Sequence, residues 1–121
     1  MVASFRDLLV WQKAMNLSVE IYQLTRLFPR EEMYGLASQL RRSAVSVPSN
    51  IAEGQGRAGT KEFLQFLAMA RGSLCEMQTQ LEIARRVGLD DPESLDHANE
   101  SAHEVGKLLY LLARSLKAKL T

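Results

Sequence analysis

TKEFLQFLAMARGSLCEMQTQLEIARRV, at residues 60–87, carries the clearest periodic signal in this chain of 121 residues. Its apolar residues recur at alternating intervals of four and three positions, at Phe63, Leu67, Ala70, Leu74, Met77, Leu81 and Ala84. That alternation keeps the apolar side chains on one face of an α-helix, as in the seam between paired helices. The stretch therefore predicts one helix, about 40 Å long at 1.5 Å per residue, which ends at Gly88.

The same alternation recurs on both sides of this stretch. Residues 7–28, 36–51 and 95–116 each place apolar side chains at steps of three and four, which predicts a helix in each range. Pro29, the glycines between residues 54 and 59, and Pro92 separate the four helices. Helices joined by short connections run antiparallel when they bury their apolar stripes against one another. We therefore predict an all-α fold, an antiparallel up-down-up-down four-helix bundle formed by a single domain over residues 1–121.

Pro48 lies inside the second predicted helix. Its ring has no N–H to donate and clashes with the carbonyl group four residues back, at Ala44. We predict that helix two is kinked at Pro48, between Ala44 and Pro48. We also predict that the hydroxyl of Ser43, Ser46 or Ser49 bonds to the freed backbone groups.

Two small residues of the third helix lead to separate predictions. Glycine inside a helix costs about 1 kcal/mol relative to alanine, so we expect a neighbouring helix backbone to approach Gly72 closely. Cys75, the single cysteine, follows Leu74 on the apolar side of the pattern. We predict that Cys75 is a small buried side chain rather than a nucleophile.

Composition limits the class of protein and its compartment. Hydrophobic residues make up 46% of the chain and charged residues 24%, which is ordinary usage for a folded globular protein. One cysteine excludes an internal disulfide, and the first residues lack the apolar run of a signal peptide, so we expect a cytoplasmic protein. No stretch approaches the roughly 20 apolar residues of a membrane span. The net charge of +1 neither requires nor excludes nucleic acid.

Two short motifs resemble cofactor sites but lack the context that such sites require. Residues 54–59 match the G-x-G-x-x-G string of dinucleotide folds, yet a predicted helix precedes them where that fold has a strand. Glu100 and His103 form one Glu-x-x-His pair, whereas a di-iron bundle needs that pair twice and two further glutamates. We therefore predict no metal site, no cofactor and no enzymatic activity.

A polar face on the second helix has two interpretations. It comprises Arg42, Ser46, Ser49, Glu53 and Arg57, with Asn50 beside them. The first interpretation is a structural network, because Glu53 reaches Arg57 four residues later. The second is a nucleic-acid-binding surface, because arginine donates forked hydrogen bonds that suit phosphate. Its predicted residues are Arg41, Arg42, Arg57, Arg85 and Arg86.

Trp11, Met15 and Tyr22 add a second apolar stripe to the first helix, beside its core-facing stripe. A helix with two apolar stripes buries both of them. We predict that these three side chains form an interface with another subunit.

One string of residues is distinctive enough to indicate a family. The run Ser46-Val47-Pro48-Ser49-Asn50-Ile51-Ala52-Glu53-Gly54, with Gly72, Ser73 and Glu76 after it, resembles the bacterial four-helix bundle family of 23S rRNA intervening-sequence proteins. The likeness extends through nearly the whole chain. Its motif residues are Ser46, Pro48, Asn50, Glu53, Gly54, Gly72 and Glu76.

The resemblance implies a four-helix protomer that assembles into a ring-like homopentamer and has no enzymatic activity. Some members of the family are encoded inside insertions of the large ribosomal RNA gene. The family is also similar to the accessory variability proteins of diversity-generating retroelements, which form basic barrels that engage nucleic acid and a reverse transcriptase. We therefore expect an oligomeric scaffold that associates with RNA or DNA. The expected partner is rRNA or a ribonucleoprotein. The alternative is a protein-protein assembly module with no role in nucleic-acid binding.

Overall fold

A computed structural model describes residues 4–120 of the chain and contains helices but no strand over that range. The four long helices are α1 (Leu9–Thr25), α2 (Leu36–Gln55), α3 (Thr60–Val87) and α4 (Pro92–Ala118). Short 3-10 turns at Phe5–Asp7 and Arg30–Glu32 precede α1 and α2. The predicted all-α class is confirmed. None of the described helices combines the length and the apolar character that crossing a bilayer requires.

Each helix packs against two neighbours: α1 and α3 both contact α2 and α4. The contacts that fix the helix directions pair Thr25 with Arg41, Ser18 with Ala44, Ser43 with Gln80, Ser46 with Ser73, Arg85 with Asp96, Leu74 with Gly106, Glu20 with His97, and Lys13 with Glu104. For each pair of neighbouring helices, two such contacts show that the residue numbers rise along one helix while they fall along the other. Neighbouring helices therefore run in opposite directions, as the up-down-up-down arrangement requires.

Apolar side chains from all four helices fill the centre of the bundle. The largest fully buried ones are Leu17, Ile21, Leu40, Val47, Ile51, Met77, Leu81, Leu95 and Val105. All of them lie at the alternating spacing found in the sequence, and small alanines such as Ala70 and Ala102 lie between them. The close packing of large and small side chains brings the helix surfaces together.

The helix ends follow from local chemistry. Gly88 ends α3 with φ at +74°, a left-handed conformation that glycine adopts without a steric penalty. Pro92 then begins α4, and the side chain of Asp91 accepts a hydrogen bond from the backbone N–H of Ser94. At the start of α2 the carboxylate of Glu32 accepts a hydrogen bond from the N–H of Leu36 at 3.2 Å. The second helix therefore begins after Glu32, which caps it from the preceding turn.

The α2 helix continues through Pro48 without a break in its assigned helical structure. The kink at Pro48 stays a prediction. The predicted partner of the freed carbonyl is wrong, because the oxygen of Ala44 lies 2.7 Å from the hydroxyl of Ser18 on α1. The hydroxyl of Ser49 instead donates to the carbonyl oxygen of Val45 in its own helix. The hydroxyl of Ser43 lies within hydrogen-bonding distance of the carbonyl oxygen of Leu40 and of Oε1 of Gln80. The hydroxyl of a neighbouring helix thus replaces the hydrogen bond that proline removes.

The close helix approach occurs at Gly54 rather than at Gly72. Gly54 is buried within α2, so its predicted place in a turn is wrong. A Cβ atom at Gly54 would lie 2.6 Å from the Cβ of Phe66 on α3, whereas one at Gly72 would meet no described atom within 4 Å. Gly72 lies on the exposed face of α3. The prediction that another helix of the same chain approaches Gly72 closely is therefore wrong. A side chain at Gly54 would push α2 and α3 apart.

Candidate nucleic-acid interface

Three of the five predicted nucleic-acid-binding arginines already pair with carboxylates. Arg57 lies 2.8 Å from Glu53, and Arg86 lies 2.8 Å from Glu82. Arg85 contacts both carboxylate oxygens of Asp96 on α4, at 2.7 and 3.2 Å. The hydrogen bond between them lowers the pKa of Asp96 and raises the pKa of Arg85. These arginines present less net positive charge to a phosphate than the sequence suggested, because each has a negative neighbour.

The adjacent residues Arg41 and Arg42 differ in their surroundings. Arg41 is half-buried, donates from Nε to the hydroxyl of Thr25 at 2.8 Å, and places its guanidinium 5.0 Å from the ring centre of Tyr22. It therefore holds α2 against α1. Arg42 is exposed and makes no hydrogen bond or ion pair with any residue in the range 4–120. Of the five predicted arginines, Arg42 alone keeps its donors available among the described contacts.

Most of the family motif forms contacts within the protein. Asn50 donates to the carbonyl and hydroxyl oxygens of Ser46 at 2.9 and 3.0 Å, and the hydroxyl of Ser46 lies 2.7 Å from that of Ser73 on α3. Pro48 is buried within α2, and Glu53 pairs with Arg57. The structural interpretation of the polar face therefore fits Ser46, Asn50 and Glu53. Glu76 is exposed and has no described partner among residues 4–120.

Arg42 and Glu76 line an open cavity of about 460 Å³ between α2 and α3, which we term the α2–α3 groove. Hydroxyl and amide groups surround these two charges. A carboxylate beside the arginine makes the chemistry of this groove different from that of a phosphate-binding surface.

A group of positive charges without paired carboxylates lies between α3 and α4. Two adjoining cavities of about 520 and 400 Å³ share Arg71 and Tyr110 in their walls and form one surface, the α3–α4 groove. Its charged and aromatic residues are Arg71, His103, Lys107, Tyr110, Arg114 and Lys117. No acidic side chain lines either cavity, and the four lysines and arginines form no ion pair with a described residue. Such a surface attracts phosphate groups.

The signal for the α3–α4 groove is present in the sequence. Lys107, Tyr110, Arg114 and Lys117 follow one another at steps of three and four on α4, and no aspartate or glutamate follows Glu104. The predicted binding residues instead lay on or just after α2 and at the end of α3, so Arg71 and Tyr110 were missed. Only the packing of α3 against α4 places Arg71 beside these residues.

The predicted interface residues lie on the outer side of α1. Met15 and Tyr22 are 39% and 40% exposed, whereas Trp11 is half-buried and its ring lies 5.2 Å from that of Phe5. Val19 continues the exposed stripe at 53%, and Val45 on α2 extends it at 44%. Val45 is one helical turn after Arg41, which contacts Tyr22. We term Met15, Val19, Tyr22 and Val45 the α1–α2 apolar stripe.

The remaining candidates have no arrangement suited to a metal. Residues 4–120 contain no group of three or more histidine, cysteine, aspartate or glutamate side chains placed to hold an ion. His97 is exposed and bonds to Glu20 on α1 at 2.6 Å, and its pKa is raised by that hydrogen bond. Cys75 is exposed in the α3–α4 groove, so the prediction that it is buried is wrong. Cys75 directly follows the buried Leu74, and a step of one residue turns a helical side chain by about 100°, away from the buried face.

Comparison with known proteins agrees with this architecture. A solved structure of a protein of unknown function from the S23 ribosomal protein family of Bacteroides thetaiotaomicron VPI-5482 is 24% identical to this chain, with a TM-score of 0.81. The similarity covers 87% of this chain and 95% of that one, and at this identity it shows the fold alone. No curated protein is similar enough to match the sequence.

The sequence profile described as "23S rRNA-intervening sequence protein" matches residues 6–111. The matched range contains α1 to α3 and most of α4, together with the motif around Pro48 and most of the α3–α4 groove. This chain belongs to the 23S rRNA-intervening sequence protein family.

Proposed function

We propose that this chain is a non-enzymatic, oligomeric scaffold that associates with nucleic acid through the phosphate backbone. The observation that carries the proposal is the α3–α4 groove, where Arg71, Lys107, Arg114 and Lys117 lie together without an acidic neighbour in the lining. Each phosphate contact by a lysine or arginine releases condensed counterions, which favours binding at low salt. Tyr110 is 57% exposed among these charges and offers a ring for base stacking.

Family membership supports RNA as the nucleic acid, because the description of the family names 23S rRNA. The resemblance to ring-shaped relatives supports a homopentamer, in which several α3–α4 grooves together would present more positive charge than one protomer. We place the protein in the cytoplasm, since a free thiol at Cys75 suits a reducing compartment.

The test is fluorescence anisotropy of a labelled single-stranded RNA over a range of salt concentrations. The variant Arg114→Ala/Lys117→Ala removes two charges from the α3–α4 groove, so binding at low salt should weaken at least tenfold. The slope of log K against log salt should fall by about 1.4, because each phosphate contact to a single strand contributes about 0.7. Duplex DNA measured in parallel distinguishes a preference for RNA from general binding of phosphate.

The matched control is Arg85→Ala/Arg86→Ala, which also removes two positive charges but from arginines that already pair with Asp96 and Glu82. We expect this control to change affinity and salt slope much less than the groove variant. Equal losses in the two variants would show that net charge, rather than the groove, governs binding. Absence of binding at about 50 mM salt, with the oligomer intact, would reject the proposal.

The second candidate function is a protein assembly module that uses the α1–α2 apolar stripe. The exposure of Val19 and of Val45, on adjacent helices, favours it, because contiguous apolar surface on a folded protein marks an interaction site. A nuclease-treated sample that retains a protein partner and contains no nucleic acid would support this function over the first.

A further inference from the structure

The α2–α3 groove combines opposite charges that do not neutralise each other. Arg42 extends from α2 and Glu76 from α3 into the same cavity, yet they form no ion pair with each other or with any residue from 4 to 120. An unpaired cation and anion facing one cavity suit a ligand that both donates and accepts hydrogen bonds. A bare phosphate supplies acceptors only, so it does not match Glu76.

Gln80 adds a directed donor from the floor of the groove. Its side chain is 9% exposed, and its Oε1 accepts a hydrogen bond from Ser43 at 2.9 Å, whereas its Nε2 has no partner among residues 4–120. Within that range Asp90 Oδ2 is the one fully buried side-chain nitrogen or oxygen without a partner. The Nε2 of Gln80 therefore opens to the groove, where it can donate to a ligand.

Tyr34 lines the mouth of the groove and is 96% exposed. A tyrosine ring this exposed has no protein surface to cover it and offers its face for stacking. The cavity of about 460 Å³ lies in the range of small-molecule sites. A planar ligand with donors and acceptors on its edge fits these features together.

We propose that the α2–α3 groove binds an unpaired guanine base of the nucleic acid. Guanine carries two adjacent donors, N1–H and the N2 amino group, which match the two oxygens of Glu76. Its O6 would accept from Gln80 and its N7 from Arg42, while its ring stacks on Tyr34. This inference rests on the proposed function, because it requires that the protein meets nucleic acid.

The donor pattern selects guanine over the other bases. Adenine places the acceptor N1 beside its amino group, and cytosine places the acceptor N3 there. Uracil has one donor between two carbonyl groups. Each of these bases would aim an acceptor at the carboxylate of Glu76, and burying unmatched polar groups against each other is unfavourable.

The experiment compares three short, unstructured RNAs that differ at one central position, which holds guanine, inosine or adenine. Inosine lacks the N2 amino group, so it loses one of the two bonds to Glu76. We expect the guanine RNA to bind about tenfold more tightly than the adenine RNA, with inosine between them. Glu76→Gln should abolish the preference while the base-independent, salt-dependent binding remains.

Glu82→Gln is the matched control, because it also removes an exposed carboxylate from α3 but lies outside the groove. It should keep the preference for guanine. Equal affinity for the three RNAs, or a preference that survives Glu76→Gln, would overturn the inference while the binding of RNA itself stands.

A titration with guanosine monophosphate separates this inference from the proposed function. Amide NMR signals of Ser46, Ser73 and Gln80 should shift with guanosine monophosphate, and they should not shift with adenosine monophosphate or in Glu76→Gln. If no RNA binds at low salt, the proposed function fails, and these shifts still support a guanine site in the groove. Absence of shifts in the wild-type protein overturns the guanine site.

Discussion

At the scale of single residues, Ser18 supplies the hydrogen bond that Pro48 cannot make. A buried carbonyl without a partner costs roughly 1–3 kcal/mol, and the oxygen of Ala44 lies in the interior between α1 and α2. The hydroxyl of Ser18 lies nearer to Ala44, at 2.7 Å, than to Ala14 of its own helix, at 3.0 Å. The proline is thus accommodated by tertiary packing rather than by its own helix.

We expect Ser18→Ala to lower the free energy of unfolding by about 1–3 kcal/mol, because it leaves the Ala44 carbonyl unsatisfied. Pro48→Ala restores an N–H to the helix, so the same serine change should cost much less in the Pro48→Ala background. Urea unfolding of the four proteins in this double-mutant cycle measures the coupling. Ser49→Ala is the control, since its exposed hydroxyl bonds within α2. Additive effects of the two changes would show that Ser18 and Pro48 act independently.

The sequence predicted that Pro48 frees a carbonyl but not which residue bonds to it. The rule for proline names the residue four positions back, and that rule is local. Ser18 is 26 positions away from Ala44, and only the packing of α1 on α2 brings them together. The same reason explains Gly54 and Gly72: both are helical glycines in the sequence, and their difference depends on the position of Phe66 on the facing helix.

At the scale of helices, polar contacts on the surface join α1 to α4. Lys13 lies 3.4 Å from Glu104, and His97 lies 2.6 Å from Glu20, about two helical turns away. The hydrogen bond to Glu20 raises the pKa of His97, and the charge of Glu100 acts in the same direction. A raised pKa in the folded state means that the protonated histidine stabilises the folded protein.

The pairing of His97 with Glu20 should make stability depend on pH. The stabilisation is fully present below the ordinary histidine pKa of about 6.5, and it is lost as pH rises through the higher pKa of the folded state. The melting temperature of wild type should exceed that of His97→Gln most at about pH 5–6 and by less at alkaline pH. His103→Gln, on the same helix, controls for loss of an exposed imidazole. A difference that did not vary with pH would contradict this account.

The helices were predictable because their apolar residues recur periodically. Whether each arginine pairs with a carboxylate was not predictable. The range and the glycine end of α3 agree with the prediction, since both depend on residues close in sequence. The partner of Arg85 is Asp96, across the turn and on the next helix. A sequence shows that an arginine is present, but its available charge depends on which carboxylate the fold places beside it.

At the scale of the whole molecule, a net charge of +1 conceals a strong separation of charge. The turn before α4 and its first half carry Asp90, Asp91, Glu93, Asp96, Glu100 and Glu104. Its second half carries Lys107, Arg114 and Lys117, and Lys119 directly follows its end. Because α3 runs antiparallel to α4, Arg71 in the first half of α3 joins the basic half of α4. Composition alone could not predict this basic surface, since it counts charges without their positions.

The α1–α2 apolar stripe makes the assembly of several chains testable. The α1–α2 apolar stripe lies on the outer side of the bundle, and exposed valine, methionine and tyrosine side chains gain free energy when a second surface covers them. A charge in the middle of such an interface would be buried without a partner, which strongly opposes association. Val19 is 53% exposed, so a glutamate there is compatible with the isolated fold.

We therefore expect Val19→Glu to reduce the mass in solution toward the 13.6 kDa of one chain, while the helical circular dichroism signal is retained. Light scattering coupled to size exclusion measures the mass. Ile83→Glu is the matched control, because Ile83 is 46% exposed on α3 and lies outside the stripe. An unchanged oligomer in Val19→Glu, or equal dissociation in both variants, would exclude the stripe as the subunit interface. Dissociation confined to Val19→Glu would also allow RNA binding by single and assembled protomers to be compared directly.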